Sequence, residues 1–238
     1  MKFIRNTFWA FIPARSGSKK IKNKNLLKIK NIPLLAYPIR TALKNKMIDK
    51  VYFSSDSKNY LNIAKKYGCK NLLLRNKRFA KDKSSDLEVF KDFINFMVKK
   101  KKDLPEFIVH LRPTTPIRKD RIITMGIKKF LYNKKNYTSL RSISLMSNPS
   151  FKTFRIKNKK LCSISKKVDY YLDKYNLPKE MFEETYLPNG YIDIFKTKNI
   201  FKNYMHGNKV YPFIVNEFNS DIDDMEDYLK VKKHAEKK

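Results

Sequence analysis

The chain has 238 residues, 42% of them hydrophobic and 13% aromatic, enough for a sizeable core and too apolar for a disordered polymer. Its 54 lysines and arginines against 22 acidic residues give a formal net charge of +32. The lysines are spread through nearly every segment, with only short runs such as Lys99 to Lys102, so they predict weak, sequence-blind capture of polyanions and no specific nucleic-acid site. Cys69 and Cys162 lie far apart with no metal-ligand spacing, and both are expected as small core residues in a reducing compartment. The N-terminal apolar run is too short for a secretion signal and is interrupted by Pro13 and Arg15. No apolar stretch approaches a membrane span, so the expected location is cytoplasmic with no membrane partner.

In chain order, Phe8 to Ile12 reads as a buried strand ended by Pro13. A basic loop, Ala14 to Asn25, leads to a helix-like pattern over Pro33 to Lys46. Val51 to Ser54 is a second strand, and Asp56 or Ser57 is placed to cap a helix from Lys58 to Tyr67, which Gly68 stops. Capping outweighs ligand contact as the reading of Asp56. Leu72 to Leu74 makes a third strand, followed by Arg75; Ser84 or Ser85 then caps a long helix through Phe90, Phe93, Ile94 and Met97. Phe107 to Leu111 is a fourth strand, running into a rigid turn, Arg112-Pro-Thr-Thr-Pro-Ile-Arg118.

Strands alternating with helices in this way predict parallel βαβ units. Beyond them, Tyr137 to Met146 and Phe151 to Ile156 look extended, and Asn158 to Glu184 is charged and irregular. Pro188-Asn189-Gly190 reads as a turn into the alternating strand Tyr191 to Phe195. Val210 to Val215 is a further strand, and the acidic cluster Asp221 to Asp227 opens a last helix. Residues 1–238 are therefore expected as one domain, with an inserted arm over about 148–187.

The loop after the first strand carries the densest chemistry. Ligands in open α/β sheets bind at the carboxyl ends of strands. Ser16, Ser18 and backbone N–H groups can donate there, Gly17 permits close approach, and Arg15, Lys19 and Lys24 supply charge, as a polyphosphate requires. The spacing is not that of a Walker loop, and an ordinary basic loop is the alternative. Asp221 and Asp223, two apart on an extended segment, project to one side and can share a divalent ion; the alternative is a helix N-terminus complemented by acids. His110, His206 and His234 are too scattered to form a base-and-orienter set and read as structural or surface residues.

Six stretches occur in a fixed order: Ile12-Pro-Ala-Arg-Ser-Gly-Ser-Lys19, Lys24-Asn25, Pro33-Leu34, Leu111-Arg-Pro-Thr-Thr-Pro-Ile-Arg118, Pro188-Asn-Gly-Tyr-Ile-Asp-Ile194 and Asp221-Ile-Asp223. In this order they resemble the acylneuraminate cytidylyltransferase family, the CMP-sialic acid synthetases and their relatives for other nonulosonic acids. The resemblance implies an α/β, Rossmann-like nucleotidyltransferase fold with a mainly parallel central sheet and an inserted dimerisation arm. It implies transfer of CMP from CTP to the anomeric hydroxyl of a 2-keto sugar acid, with release of pyrophosphate, in a Mg²⁺-dependent homodimer.

By the family pattern, the loop residues Ala14, Arg15, Ser16, Gly17, Ser18 and Lys19, together with Lys24 and Asn25, face the nucleotide, with Arg15 and Lys24 acting in catalysis. Arg75 and the segment Ala80 to Ser85, including Asp82 and Ser84, match the part around the cytidine. Arg112, where the family often has glutamine, lies near nucleotide and sugar; Asn189 matches a sugar contact, and Asp221 and Asp223 match the metal ligands. Lys20 and Asn31 replace usual glycines, and Lys174 or Tyr175 and Leu187 stand where many members have arginines for the sugar carboxylate. Lys174, Lys179 and Arg112 are the candidate replacements. The apolar Leu187 favours a legionaminic or modified neuraminic acid over N-acetylneuraminate. Tyr170, Tyr171, Tyr175 and Phe182 are the expected anchors of the dimer. A cytidylyltransferase for Kdo and a nucleotide-sugar glycosyltransferase with an Asp-x-Asp metal site are the rival enzyme readings.

Overall fold

The computed structural model describes residues 2–164, 175–218 and 220–237. Eleven consecutive residues, Phe3–Pro13, form β1, the sheet's third strand from one edge; its inner half is buried on both faces, which is why it reads as an unbroken apolar run. Even-numbered residues Phe8, Ala10 and Ile12 enter one core and odd-numbered Trp9 and Phe11 the other.

The first core is closed by three helices: α1 (Ala36–Lys44), α2 (Lys58–Lys66) and α4 (Asp120–Asn133), through Ile39, Ala64, Ile127 and Phe130 among others. The second is closed by α3 (Asp86–Lys99) and the single turn α5 (Lys198–Phe201), through Phe90, Phe93, Met97 and Ile200. Helices on both faces of the sheet are what the buried half of β1 requires.

Around β1 the strands β4 (Lys50–Ser55), β5 (Asn71–Leu74) and β6 (Leu104–His110) run parallel to it. Next to β6 lies the antiparallel β10 (Tyr186–Lys196), then β7 (Ser139–Leu145) and β11 (Val210–Ile214), giving the order β11-β7-β10-β6-β1-β4-β5. One antiparallel strand in seven makes this the mixed, mainly parallel sheet expected. Two ribbons stand apart from it: β2 (Lys28–Ile29) with β3 (Ile32–Pro33), and β8 (Phe154–Lys157) with β9 (Lys160–Ser163). Both turn through paired residues with positive φ, Lys30-Asn31 and Asn158-Lys159, the conformation that two-residue hairpins demand. Asn31 thus adopts the conformation of the glycine it replaces, whereas Lys20 is not among the positive-φ residues.

Several boundaries differ from expectation. The helix expected from Pro33 to Lys46 covers only Ala36–Lys44, because Pro33 belongs to β3 and Asn45 turns away to accept from Met47 and donate to Asp120. Pro188-Asn189-Gly190 is not a turn before a strand. It lies inside β10, where the register against β7 shifts between Pro188 and Asp193, a bulge made possible by Gly190 at φ 66°. Nor does the strand after it alternate, since Tyr191 to Phe195 are all buried. Cys69 is buried as expected, but Cys162 is only half-buried on the β9 ribbon.

Last in the chain comes α6 (Met225–Glu236), which Asp224 and Asp227 cap reciprocally. A third apolar cluster joins it to the basic loop: Ile222 packs with Ile21, Ile29, Leu34 and Val231, fully buried. That contact anchors the C-terminal segment beside the loop after β1.

Candidate functional site

Where β1, β5 and β6 end, their carboxyl termini open on a cavity of about 260 Å³. Pro13, Arg15, Ser18, Lys24 and Asn25 line it from the first loop, Arg75 from the end of β5, Asp82 and Ser84 from the segment before α3, and Arg112 to Thr114 from the end of β6. Three parallel strands therefore deliver the nucleotide-site candidates to one place, as the carboxyl edge of such a sheet does.

The loop is braced from below. Asn25 donates from Nδ2 to the Arg15 carbonyl at 2.9 Å, and Ala14, buried, donates its N–H to the Ser54 carbonyl. Asp56 does not cap α2, which Ser57 caps instead. Its carboxylate accepts from both the backbone N–H and the hydroxyl of Ser16, at 2.8 and 2.7 Å, and so ties the loop to the end of β4. Ser16, Gly17 and Lys19 do not line the cavity. A Cβ on Gly17 would meet no atom within 4 Å, so that stretch of backbone is open to an incoming group.

The cations differ in how they are held. Arg75, buried, donates to the carbonyl and hydroxyl of Ser54; burial lowers its pKa to about 10, which leaves it charged at neutral pH. Arg15 and Lys19 both pair with Asp82, at 3.0 and 2.7 Å, although Lys19 is 84% exposed. A carboxylate therefore rests on two of the cations that a phosphate would meet.

Arg112 is committed on both sides. Its Nη1 donates to Asp193 at 2.8 Å and its Nη2 to Asp86 at 3.0 Å. Asp193 is 2% exposed; burial alone would raise its carboxyl, but the Arg112 guanidinium holds it below the usual range. On its other side stands Arg141, whose Nε is 3.6 Å from Asp193. Burial and the neighbouring Arg112 push His110, behind them, down to about 3, so it is a neutral ring packed edge-on against Phe90. His206 lies against Phe195, which also packs on Phe90, and His234 stacks on Phe218, so none of the three has the placement of a base for the cavity.

A second group faces the cavity rim. Lys24 donates to the Ile222 carbonyl at 2.7 Å and lies 3.4 Å from Asp223, while Ile222 N–H donates to the Thr114 carbonyl. Asp221 and Asp223 are exposed on either side of buried Ile222. Neither lines the cavity, but Lys24 does and touches one of them. Among the described residues no three His, Cys, Asp or Glu side chains gather into a metal site. A pair of exposed carboxylates suits Mg²⁺, which takes one or two protein carboxylates and completes its shell with water and substrate phosphate.

Asn189 is engaged internally: its Nδ2 donates to Ser144 and its Oδ1 accepts from Tyr191 N–H, which pins the β10 bulge. Arg118, half-buried, fastens the turn after β6 to that bulge. Its guanidinium donates to the carbonyls of Arg112, Thr115, Gly190 and Tyr191. Lys174, Tyr170 and Tyr171 lie outside the described residues. Tyr175 is buried against Phe154 within the arm, so it is not a free anchor, and Phe182 is covered by Lys152.

Asp56, Asp86, Asp193 and Arg118 were not anticipated as site residues. Asp193 carried a signal, an acidic residue centred in Tyr-Ile-Asp-Ile-Phe, where burial on both faces demands a partner. Asp86 was indistinguishable from a first-turn helix acid.

A family model described as Cytidylyltransferase matches residues 9–220. Over 80 residues, 34% of this chain and 16% of the relative, the sequence is 52% identical to a pseudaminic acid cytidylyltransferase and UDP-2,4-diacetamido-2,4,6-trideoxy-beta-L-altropyranose hydrolase of Helicobacter pylori. Over 147 residues, 62% of this chain and 33% of the relative, it is 37% identical to an N-acylneuraminate cytidylyltransferase of Escherichia coli. The chain thus matches a third or less of the length of these two relatives. In fold it is similar to a solved CMP:2-keto-3-deoxy-manno-octonic acid synthetase complexed with CTP, with a TM-score of 0.69 at 16% identity over 97% of this chain and 99% of that one.

Proposed function

The chain belongs to the cytidylyltransferase family, and on that premise we propose that it transfers CMP from CTP to the anomeric hydroxyl of a 2-keto sugar acid. The observation that carries the reading is the cavity at the ends of β1, β5 and β6, where Arg15, Lys24, Arg75 and Arg112 gather around one open space. The hydroxyl oxygen attacks the α-phosphorus and gives its proton to water, the bond from that phosphorus to the bridging oxygen breaks, and pyrophosphate leaves with the electron pair. Such a transfer needs in-line placement and charge stabilisation more than a protein nucleophile. Arg15 and Lys24 take the departing pyrophosphate. Arg75 and Ser84 hold the nucleoside end. Asp221 and Asp223 are the carboxylates that would hold Mg²⁺, which would supply charge neutralisation at the phosphates.

The sugar carboxylate needs a cation once it leaves water. Arg112 is a poor choice, since Asp86 and Asp193 occupy both ends of its guanidinium. Arg141 fits better: its only ion pair among the described residues is the long one to Asp193, and its terminal nitrogens remain available for a bidentate grip. Leu187, 55% exposed beside the bulge, offers an apolar wall, which favours a deoxy or N-acylated acid of the legionaminic kind over N-acetylneuraminate.

A homodimer is part of the reading. The arm exposes Ile156 (80%), Leu161 (49%) and Met181 (69%), more apolar surface than a free ribbon keeps in water. No helix among the described residues is long and apolar enough to cross a membrane. The reading is of a cytoplasmic enzyme working on two water-soluble substrates.

Pyrophosphate release measured with each of the four nucleoside triphosphates, with and without a panel of nonulosonic acids and Kdo, tests the reading. CTP together with a nonulosonic acid should give the only rapid turnover. Release with another nucleotide would overturn the cytidylyl transfer, and a preference for Kdo would keep the transfer and overturn the nonulosonic acceptor. Asp223→Asn should lower kcat by about a hundredfold or more at saturating Mg²⁺ with the fold intact, because it removes charge stabilisation. Wild-type turnover in that variant would remove Asp223 from the metal site.

A further inference from the structure

Phe3 lies at the opposite end of β1 from Pro13, about 30 Å from the nucleotide cavity at the usual rise per residue. There a second cavity, of about 340 Å³, opens between the start of β1, the start of β6, the end of β10 and the end of α4. Its lining is Arg5, Lys134, Lys135, Lys196, Lys198 and Glu106, closed on one side by Phe3.

A lysine-rich chain scatters cations everywhere, so the density of this group decides whether it means anything. Cations make up 54 of 238 residues in the chain and two of nine around the cavity beside Gly68. Around the nucleotide cavity they are five of fifteen, set against two carboxylates. Here they are five of seven, set against one. Even that carboxylate is spoken for: Glu106 accepts from the Asn6 backbone N–H at 2.8 Å and lies 3.5 Å from Lys134. Arg5, Lys135, Lys196 and Lys198 form no ion pair with any described residue.

The group is also built and not merely crowded. Asn6, at φ 58°, sits in the irregular stretch of β1 between Ile4 and Phe8, and its side chain accepts from Lys134 Nζ at 2.6 Å, aiming that ammonium across the Phe107 ring. Lys196 extends from the last position of β10, half-buried; burial and the neighbouring Lys198 lower its pKa, and the one nearby carboxylate, Glu106, does not offset them.

We propose that this cavity is a second anion site, distinct from the nucleotide cavity, and that it takes a small polyanion carrying two or three phosphate groups. Four unpaired cations around a volume of this size match such a ligand in charge and in bulk. The cations come from β1, β10, α4 and α5, so a bound polyanion would tie together the end of the sheet remote from the nucleotide.

Calorimetric titration of the full chain with inorganic tripolyphosphate, without Mg²⁺ and at about 150 mM salt to screen diffuse attraction, tests the assignment. Wild type should show two classes of site. Arg15→Ala should weaken one of them, and Lys196→Gln with Lys198→Gln should weaken the other about tenfold. The control pair Lys65→Gln with Lys66→Gln, on the exposed face of α2, removes the same charge and should change neither class by more than about twofold. Glu106→Gln should act in the opposite sense and tighten the second class. Equal weakening by the pocket pair and the control pair would show only general attraction to a cationic chain and overturn the proposal. So would displacement of tripolyphosphate by a single-stranded oligonucleotide at equal phosphate concentration, which would make the patch a polymer surface.

Discussion

Asp82 is the side chain whose charge contradicts its place. It lines a cavity read as a phosphate site and yet is itself an anion, in contact with Arg15 and Lys19. A triphosphate reaching those cations must displace it, so the ion pairs oppose binding. The partners are substantially exposed, and solvent-exposed pairs of this kind are weak. Asp82→Asn should therefore tighten CTP about two- to fivefold, measured by calorimetry in the absence of the sugar acid. Weaker binding would show that Asp82 holds Arg15 in its working position and does not compete with the ligand. The same comparison of committed and open cations singles out Arg141. Arg141→Lys should raise KM for the keto acid about tenfold and leave KM for CTP within about twofold, since lysine keeps the charge facing Asp193 and loses the planar fork. If the wild-type enzyme is active and both constants are unmoved in the variant, Arg141 only neutralises Asp193.

At the scale of elements, the site depends on two pieces of backbone that share carbonyls with Arg118. The turn after β6 and the bulge in β10 both accept from its guanidinium, and Asp221 lies against the bulge: a Cβ on Gly190 would be 3.9 Å from its carboxylate. Gly190→Ala places a methyl group 2.8 Å from Thr115 Oγ1 at φ 66°, so it should cost about 1–3 kcal/mol in denaturant unfolding and slow turnover by shifting Asp221. A neutral substitution would mean that the bulge relaxes freely. The sequence made the strand–helix alternation through His110 legible, because buried parallel strands and amphipathic helices have unmistakable periods. It also placed the basic loop from Ala14 to Asn25 at the carboxyl end of a strand, where Arg15, Ser18, Lys24 and Asn25 line the cavity. The bulge stayed hidden because Pro-Asn-Gly has the composition of a turn, and only pairing with β7 shows that the strand continues through it. The Asp86–Arg112–Asp193 set stayed hidden for a related reason. Its members lie 26 and 81 residues apart, and no local pattern connects them.

For the whole molecule, the net charge of +32 is the loudest feature of the sequence and says least about the cavity, where ion pairs with Asp82, Asp86 and Asp193 offset much of the local positive charge. Its consequence for stability comes instead through a group that stays neutral. His110 is fully buried, its ring nitrogens have no hydrogen-bond partner among the described residues, and Arg112 stands nearby, so the folded protein holds it unprotonated down to about pH 3. In the unfolded chain the same ring binds a proton near pH 6.5. Between these values the unfolded state carries the extra proton, so stability is complete above about pH 6.5 and declines on acidification by up to ~1.4 kcal/mol per unit for this one group. Asp193 adds to the decline only further down, as pH falls through its own depressed value and the Arg112 pair is lost. His110→Leu, similar in bulk and without a titrating nitrogen, removes the first of these two contributions and keeps the second. Acid unfolding followed by far-ultraviolet circular dichroism should therefore begin later in the variant, with its midpoint lower by about half a unit or more. A midpoint that does not move would show that His110 finds a proton acceptor in the folded core and is charged there.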